Sequence, residues 1–107
     1  MKPNIASKLA QLSERLLEVD QLMSTEEATR NMDTFRKLGR ERAELEPVVS
    51  LYHAYQSCRS DIETAREMAS DPEMKEFAQS EIAQGEEKLA QLNSELQVQL
   101  LPKDPND

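Results

Sequence analysis

Apolar residues recur in this chain at alternating steps of four and three, and this spacing is typical of helices that bury one narrow stripe against a partner. One such stripe runs near the N-terminus and a second near the C-terminus. No run of alternating β-branched residues bounded by turns occurs anywhere in the sequence. The pattern therefore predicts an all-α fold. The two regular stripes are Ile5, Leu9, Leu12, Leu16, Val19, Met23 and Ala78, Ile82, Gly85, Leu89, Leu92, Leu96.

Three long helices follow from these stripes and from a longer stripe between them. We predict helix one at about residues 4–22, helix two at about 33–69 and helix three from 72 to about 101. Short connections make neighbouring helices antiparallel, and helix one is long enough to cover only the first half of helix two. The predicted fold is an elongated antiparallel helical bundle, or coiled-coil arm, with the turn at Ser70–Pro72 at one extremity.

Capping residues mark where these helices should begin. Ser24 and Glu27 have the spacing of a capping box, which predicts a short helical turn after helix one. Asp33 is suited to cap helix two. Asp71 followed by Pro72 has the composition of an N-cap and a first helical position, so helix three should start there.

Two residues inside the predicted helices are poor helix formers. Pro47 removes one backbone hydrogen bond and disfavours the α conformation at Glu46, so helix two should be kinked near Pro47, or broken with Pro47 starting a new helix. Gly85 lies on the stripe of helix three and costs about 1 kcal/mol of helix propensity relative to alanine. It is either a weak point or the place where two helices cross closely, and we favour the crossing.

Length and composition exclude several classes of protein. A chain of 107 residues is enough for one domain. Cys58 is its single cysteine, which excludes an internal disulfide framework and a cysteine-based zinc site and fits a reducing cytosol. No stretch of about 18 apolar residues and no signal-peptide pattern occurs, so we expect a cytoplasmic protein without a membrane partner. The net charge of -8 argues against nucleic-acid binding by the surface as a whole.

No constellation of residues predicts an enzyme, a metal site or a cofactor site. His53, Ser57 and Asp61 lie four apart on one face of helix two, but serine is in the middle, whereas a catalytic triad needs the imidazole between serine and carboxylate. A solvated polar face explains them. Cys58 and His53 are about 140° apart around the helix and cannot converge, so Cys58 is interpreted as a small, partly buried residue.

Charge is unevenly distributed along the chain. Residues 30–42 contain five basic and two acidic side chains, a balance of +3, whereas residues 60–88 contain nine acidic and three basic ones, a balance of -6. Met68, Met74 and Phe77 cluster in the same acidic segment. Core packing is the favoured interpretation of these three, and an adaptable docking surface is the alternative.

Four segments carry a resemblance to a known family. They are residues 1–3 (MKP), residues 61–65 (DIETA), residues 71–74 (DPEM) and, most specifically, residues 100–107 (LLPKDPND). In these segments and in their order, the chain resembles the N-terminal helical domain of bacterial class I peptide chain release factors of the type that reads UAA and UAG. The resemblance covers essentially all 107 residues and implies a helical domain at 1–101, followed by the start of a linker at 102–107.

What the resemblance implies is an accessory role in translation termination rather than a catalytic one. The family's codon-reading tripeptide and its Gly-Gly-Gln loop belong to later domains, and this sequence contains neither Gly-Gly-Gln nor Pro-x-Thr. No family functional residue therefore carries over. The implied partners are the ribosome at the stalk-base proteins of its large subunit and the GTPase release factor. A full-length member would also meet the mRNA stop codon and the glutamine methyltransferase that acts on the Gly-Gly-Gln loop.

The charge pattern then selects candidate docking residues. An acidic arm repels phosphate and suits basic ribosomal protein, whereas a basic helical face tolerates RNA or the factor's own later domains. A free-standing coiled-coil adaptor or holdase-like protein remains the alternative function, and the residues encoded after position 107 would discriminate between the two. The candidate docking residues are Glu67, Glu73 and Glu76 on the acidic side and Arg36 and Arg40 on the basic side.

Overall fold

The computed structural model describes residues 3–100, which form four α-helices. The helices are α1 (Pro3–Met23), α2 (Glu26–Arg30), α3 (Met32–Met68) and α4 (Lys75–Leu100). No strand occurs within residues 3–100, and the all-α prediction is confirmed. Helices α1, α3 and α4 correspond to the three predicted long helices, and α2 to the predicted short helical turn. The Met-Lys opening and the tail after residue 100 lie outside the described residues.

The caps between α1 and α3 differ from the prediction by one or two residues. Thr25, not Ser24, is the N-cap of α2, because its Oγ1 accepts a hydrogen bond from the backbone N–H of Ala28 at 3.3 Å. Asn31, not Asp33, caps α3, because its Oδ1 accepts from two backbone N–H groups in the first turn, at 3.1 and 3.2 Å. Asn31 occupies the N-cap and Asp33 lies inside the first turn, where a carboxylate favours the positive end of the helix.

Helix α4 begins three residues later than the predicted start at Pro72. Asp71 acts as a local cap, with its Oδ1 accepting from the backbone N–H of Glu73 at 3.0 Å. The N–H of Met74 bonds to the carbonyl of Asp71 at 3.0 Å, so residues 72–74 form a separate turn before Lys75. The predicted capping residue is therefore correct, but it starts a turn rather than the helix itself.

Helix α3 runs through Pro47 without interruption. A break with a second helix starting at Pro47 therefore does not occur, because the loss of one backbone hydrogen bond is tolerated within a helix of 37 residues. A bend at Glu46 stays a prediction.

The chain forms two compact units, Met1–Ser50 and Leu51–Asp107, and the first is held by one apolar cluster. Helix α1 contributes its predicted stripe, α2 contributes Ala28, and the first part of α3 contributes Leu38 and Leu45. The stripe interpretation of α1 is confirmed, since Leu9 and Val19 are fully buried. Members of the cluster are Val19, Ala28, Leu38 and Leu45, with Leu12, Leu16 and Met23 packed against them.

Two arginines join α1 to α3 at the edge of this cluster. Arg15 donates through Nε and Nη2 to both carboxylate oxygens of Glu41, with the Nη2–Oε1 distance at 2.8 Å. Arg42 donates to Asp20 and to Glu46 at 2.6 Å each. The hydrogen bond from Arg15 is the main cause of a lowered pKa at the Glu41 carboxyl.

Replacing Glu41 with glutamine should reduce stability at neutral pH and weaken its pH dependence. A carboxyl whose pKa is lower in the folded than in the unfolded chain stabilises the fold above the unfolded value of 4.5, and that contribution disappears as pH falls through the folded value. Urea unfolding between about pH 3 and pH 7 should therefore show a shallower acid slope for Glu41→Gln. Glu44→Gln, an exposed acid on the same helix, is the control, and equal slopes for all three proteins would contradict the assignment.

The second unit is built from the remainder of α3 and from α4, which run antiparallel. At Gly85 they approach so closely that a Cβ atom would lie 2.7 Å from Cγ1 of Ile62. The thiol of Cys58 lies 3.2 Å from the Gly85 carbonyl oxygen and donates to it. The predicted close crossing at Gly85 is therefore present, and a glycine there removes the side chain that would prevent it.

Candidate functional site

The acidic surface of the second unit consists of Glu67, Glu73 and Glu76, all predicted as docking residues. Glu67 lies in the last turn of α3, Glu73 in the 72–74 turn and Glu76 in the first turn of α4. All three are exposed, and within residues 3–100 their carboxylates make no ion pair. The structure thus presents them from one short connection, with their charges available to a partner.

Local hydrogen bonds fix the backbone of this connection. The Ser70 hydroxyl donates to the carbonyl of Glu67 at 2.7 Å, and the Asp71 carboxylate accepts from the N–H of Glu73. The N–H of Ala78 bonds to the carbonyl of Met74 at 2.8 Å and joins the turn to α4. The three carboxylates are therefore carried on a hydrogen-bonded turn between two helices, not on an extended loop.

Apolar side chains accompany the acidic surface. Phe77 is 55% exposed and Met74 36% exposed, while Ala78 occupies the buried stripe position. Core packing, the favoured interpretation of Met68, Met74 and Phe77, is therefore wrong for Phe77, because the small Ala78 takes the place in the core. Exposed aromatic and methionine side chains are typical anchors of protein interfaces. This signal was ambiguous in sequence, since Ala78 continues the heptad spacing whereas its neighbour Phe77 is the more hydrophobic residue.

The basic candidates lie in the first unit. Arg36 and Arg40 are exposed on successive turns of α3, and the exposed Lys37 lies between them. Together these three residues form the basic cluster. Within residues 3–100 none of the three side chains makes a hydrogen bond or an ion pair. From the sequence, the surface of Arg36, Lys37 and Arg40 is the one where RNA could be tolerated, with the two arginines as the candidate docking residues.

The residues considered for catalysis do not form an enclosed site. His53, Ser57 and Asp61 are exposed along α3, and the His53 ring lies 6.2 Å from that of its neighbour Tyr52. Cys58 is buried, as its small apolar character predicts. In the described part of the chain, no group of three or more His, Cys, Asp or Glu residues could hold a metal ion. None of the helices described is long and apolar enough to cross a membrane.

Comparison with known proteins gives a consistent result. The family model described as the PCRF domain matches residues 12–107. Across all 107 residues the chain is 54% identical to "Peptide chain release factor 1" of Nitrosospira multiformis. It is 51% identical to the protein of the same name in Nitrosomonas europaea and 48% identical to that of Nitrosomonas eutropha. The chain spans 30% of the length of each of these relatives.

Proposed function

Because this chain belongs to the peptide chain release factor family, we propose that it is the N-terminal accessory domain of a translation termination factor. The complete factor directs stop-codon-dependent peptide release at UAA and UAG on the ribosome. Within it, this domain docks the factor onto its partners and leaves codon reading and peptide release to other domains. The absence of Gly-Gly-Gln and Pro-x-Thr from the 107 residues supports that division of labour.

One observation carries the docking role: the unpaired acidic surface adjoins exposed apolar side chains. Glu73 directly precedes Met74, and Glu76 directly precedes Phe77 in sequence. An apolar anchor supplies contact area, and surrounding carboxylates steer the surface toward basic groups and away from phosphate. This combination fits a basic protein with an apolar recess. Ribosomal proteins are usually basic, and the family resemblance favours those at the stalk base of the large subunit.

Other partners follow from the proposed role in termination. The GTPase release factor acts on the same ribosomal complex, so its action is coupled to this domain. A complete factor also meets the stop codon of the mRNA and the glutamine methyltransferase of the Gly-Gly-Gln loop. In bacteria these partners are cytoplasmic, which places the proposed function in the cytoplasm.

Binding of the 107-residue chain to separated ribosomal subunits tests this proposal. A fluorescent label at the N-terminus should report saturable binding to large subunits and much weaker binding to small subunits, measured by anisotropy. The binding to large subunits should weaken as salt is raised, because exposed charges form the contact. Equal binding to both subunits, or none to either, would contradict the docking role. Suppression of protein aggregation without subunit preference would favour the holdase-like alternative.

A further inference from the structure

The basic cluster on α3 differs from the other arginines in having no partner. The seven arginines all lie within the described residues, and five of them contact an acid or a ring. Arg36 and Arg40 do not, and neither does Lys37, although the chain carries 21 acidic residues. Like charges three and four residues apart on a helix repel each other, and an anion bound between them would relieve this repulsion. The five partnered arginines are Arg15, Arg30, Arg42, Arg59 and Arg66.

The geometry of the cluster fits phosphate. Arg36, Lys37 and Arg40 occupy an arc of about 100° on one helical turn, so their donors reach toward the same region of solvent. A guanidinium donates two parallel hydrogen bonds to the oxygens of one phosphate, and the ammonium of Lys37 adds a point charge. Asp33 and Glu44 lie on the same face, one turn before and one turn after. Their negative charges limit the anion-binding surface to the stretch of helix between them.

The surroundings of the cluster favour nucleic-acid backbone over an acidic protein. Leu38 is buried in the first unit and Gly39 has no side chain, so no apolar group stands between the three cations. Protein interfaces depend on apolar or aromatic anchors, and residues 36–40 expose none, although Met32, 59% exposed, lies one turn before Arg36. Contacts to the sugar–phosphate backbone need only exposed cationic donors. No exposed aromatic ring adjoins the cluster to stack on bases, so binding would be independent of base sequence.

We propose that Arg36, Lys37 and Arg40 form a phosphate-binding surface for the RNA backbone of the ribosome, separate from the acidic surface that meets protein. The inference rests on the proposed ribosomal function and adds to it the chemical class of a second contact. One chain then uses two surfaces of opposite charge, each suited to a different component of the same particle.

Neutralising the cluster in the full-length factor tests the salt dependence that RNA contacts impose. Each phosphate contact contributes about 0.7 to the slope of log affinity against log salt, so three contacts contribute about 2. The variant with Arg36→Gln, Lys37→Gln and Arg40→Gln should therefore show a slope smaller by about 2. The ratio of the affinity of the unmodified factor to that of the variant should therefore fall about 16-fold between 50 and 200 mM salt. The measurement is binding to intact ribosomes, with helicity checked by circular dichroism.

A control variant that loses three positive charges elsewhere separates an effect of the basic cluster from an effect of net charge. Lys8, Arg30 and Lys88 are exposed and lie outside both proposed surfaces, and of the three only Arg30 makes an ion pair, an exposed one with Glu26. Their triple glutamine variant should keep the slope of the unmodified factor. Equal slopes for the cluster variant and the unmodified factor would overturn the inference and leave the acidic docking surface intact. Absence of ribosome binding by the unmodified factor would overturn both proposals.

Tethered cleavage decides whether the partner is RNA or protein. An iron chelate attached to Lys37→Cys in the full-length factor should cut large-subunit RNA where the cluster contacts it. The native Cys58 is only 5% exposed, so the reagent reaches the introduced thiol preferentially. Lys88→Cys carrying the same chelate is the control and should give a different pattern of cuts. Cleavage of ribosomal protein alone, or identical cuts from both positions, would overturn the assignment to RNA.

Discussion

Replacing Gly85 with leucine should lower the free energy of unfolding by about 3 kcal/mol, the upper end of the usual cost of overpacking. A Cβ at this position would lie 2.7 Å from Cγ1 and 3.3 Å from Cδ1 of Ile62. Ile62 is buried and its β-branched side chain has few rotamers inside a helix, so it cannot move aside cheaply. In a chain of this size the expected loss corresponds to a fall in Tm of roughly 15 °C, measured by thermal unfolding.

A double-mutant cycle with alanine isolates the steric cause. Gly85→Ala should destabilise the chain by about 1 kcal/mol, since overpacking of about 2 kcal/mol exceeds the gain of about 1 kcal/mol in helix propensity. In the Ile62→Ala background both obstructing carbons are absent, so the same substitution should become stabilising. Gly39→Ala is the matched control, because its Cβ would lie 4.0 Å from Cε of Met23 and the helix-propensity gain is unopposed. Equal stabilisation by Gly39→Ala and Gly85→Ala would contradict the crossing.

The helices and their buried faces were predictable because heptad spacing reports directly on which side of a helix is apolar. Leu9 and Val19 in α1, and Leu92 and Leu96 in α4, occupy predicted stripe positions and are buried. Gly85 was informative for the opposite reason. Glycine weakens a helix, so its presence on an apolar stripe indicates that a neighbouring helix occupies the space where a side chain would lie.

The wrong predictions of a cap and of a core residue arose where two adjacent residues are both plausible candidates for the same position. The side chains of Ser24 and Thr25 can both accept an N-cap hydrogen bond, and the residue at which α1 ends decides which of them caps α2. Ala78, four residues before Ile82, continues the spacing, whereas Phe77 is the more hydrophobic neighbour, and hydrophobicity alone favoured the wrong one for burial. In the structure Ala78 is fully buried. Such choices depend on tertiary packing, to which periodicity is insensitive.

The ion-pair partners of charged side chains could not be predicted from the periodicity of the sequence either. Arg15 and Glu41 are 26 positions apart, and their pairing depends on the register of α1 against α3. The candidate docking residues were chosen by local charge balance alone. The structure adds that their side chains are exposed and that none makes an ion pair within residues 3–100. Their charges are therefore available to a partner, as are those of other exposed, unpaired side chains, and it is the exposed Met74 and Phe77 nearby that set the acidic surface apart.

Reversing the charge of Glu67, Glu73 and Glu76 to lysine in the full-length factor should weaken ribosome binding about a hundredfold at moderate salt. Each exposed pair lost and replaced by repulsion costs up to about 1 kcal/mol, and three together amount to about 3 kcal/mol. The effect should decline as salt is raised, since these charges are screened by the solvent. Equilibrium binding to ribosomes across a salt series measures it.

Reversal of three acids elsewhere controls for net charge. Glu14, Glu27 and Glu95 are exposed and make no ion pair within residues 3–100. Their triple lysine variant carries the same total charge as the variant of the acidic surface. It should bind ribosomes at least as well as the unmodified factor, because an RNA-rich particle attracts added positive charge. A loss of affinity equal to that of the acidic-surface variant would assign the effect to net charge.

The kinetics of peptide release test the central claim most directly. A docking domain contributes to binding of the termination complex and not to the chemical step, so its loss should raise KM with kcat unchanged. For Glu67→Lys, Glu73→Lys and Glu76→Lys combined, stop-codon-dependent release should show KM raised about a hundredfold and kcat within about twofold of the unmodified factor. An unchanged KM, or an equal rise in the control with Glu14, Glu27 and Glu95 reversed, would contradict docking through the acidic surface.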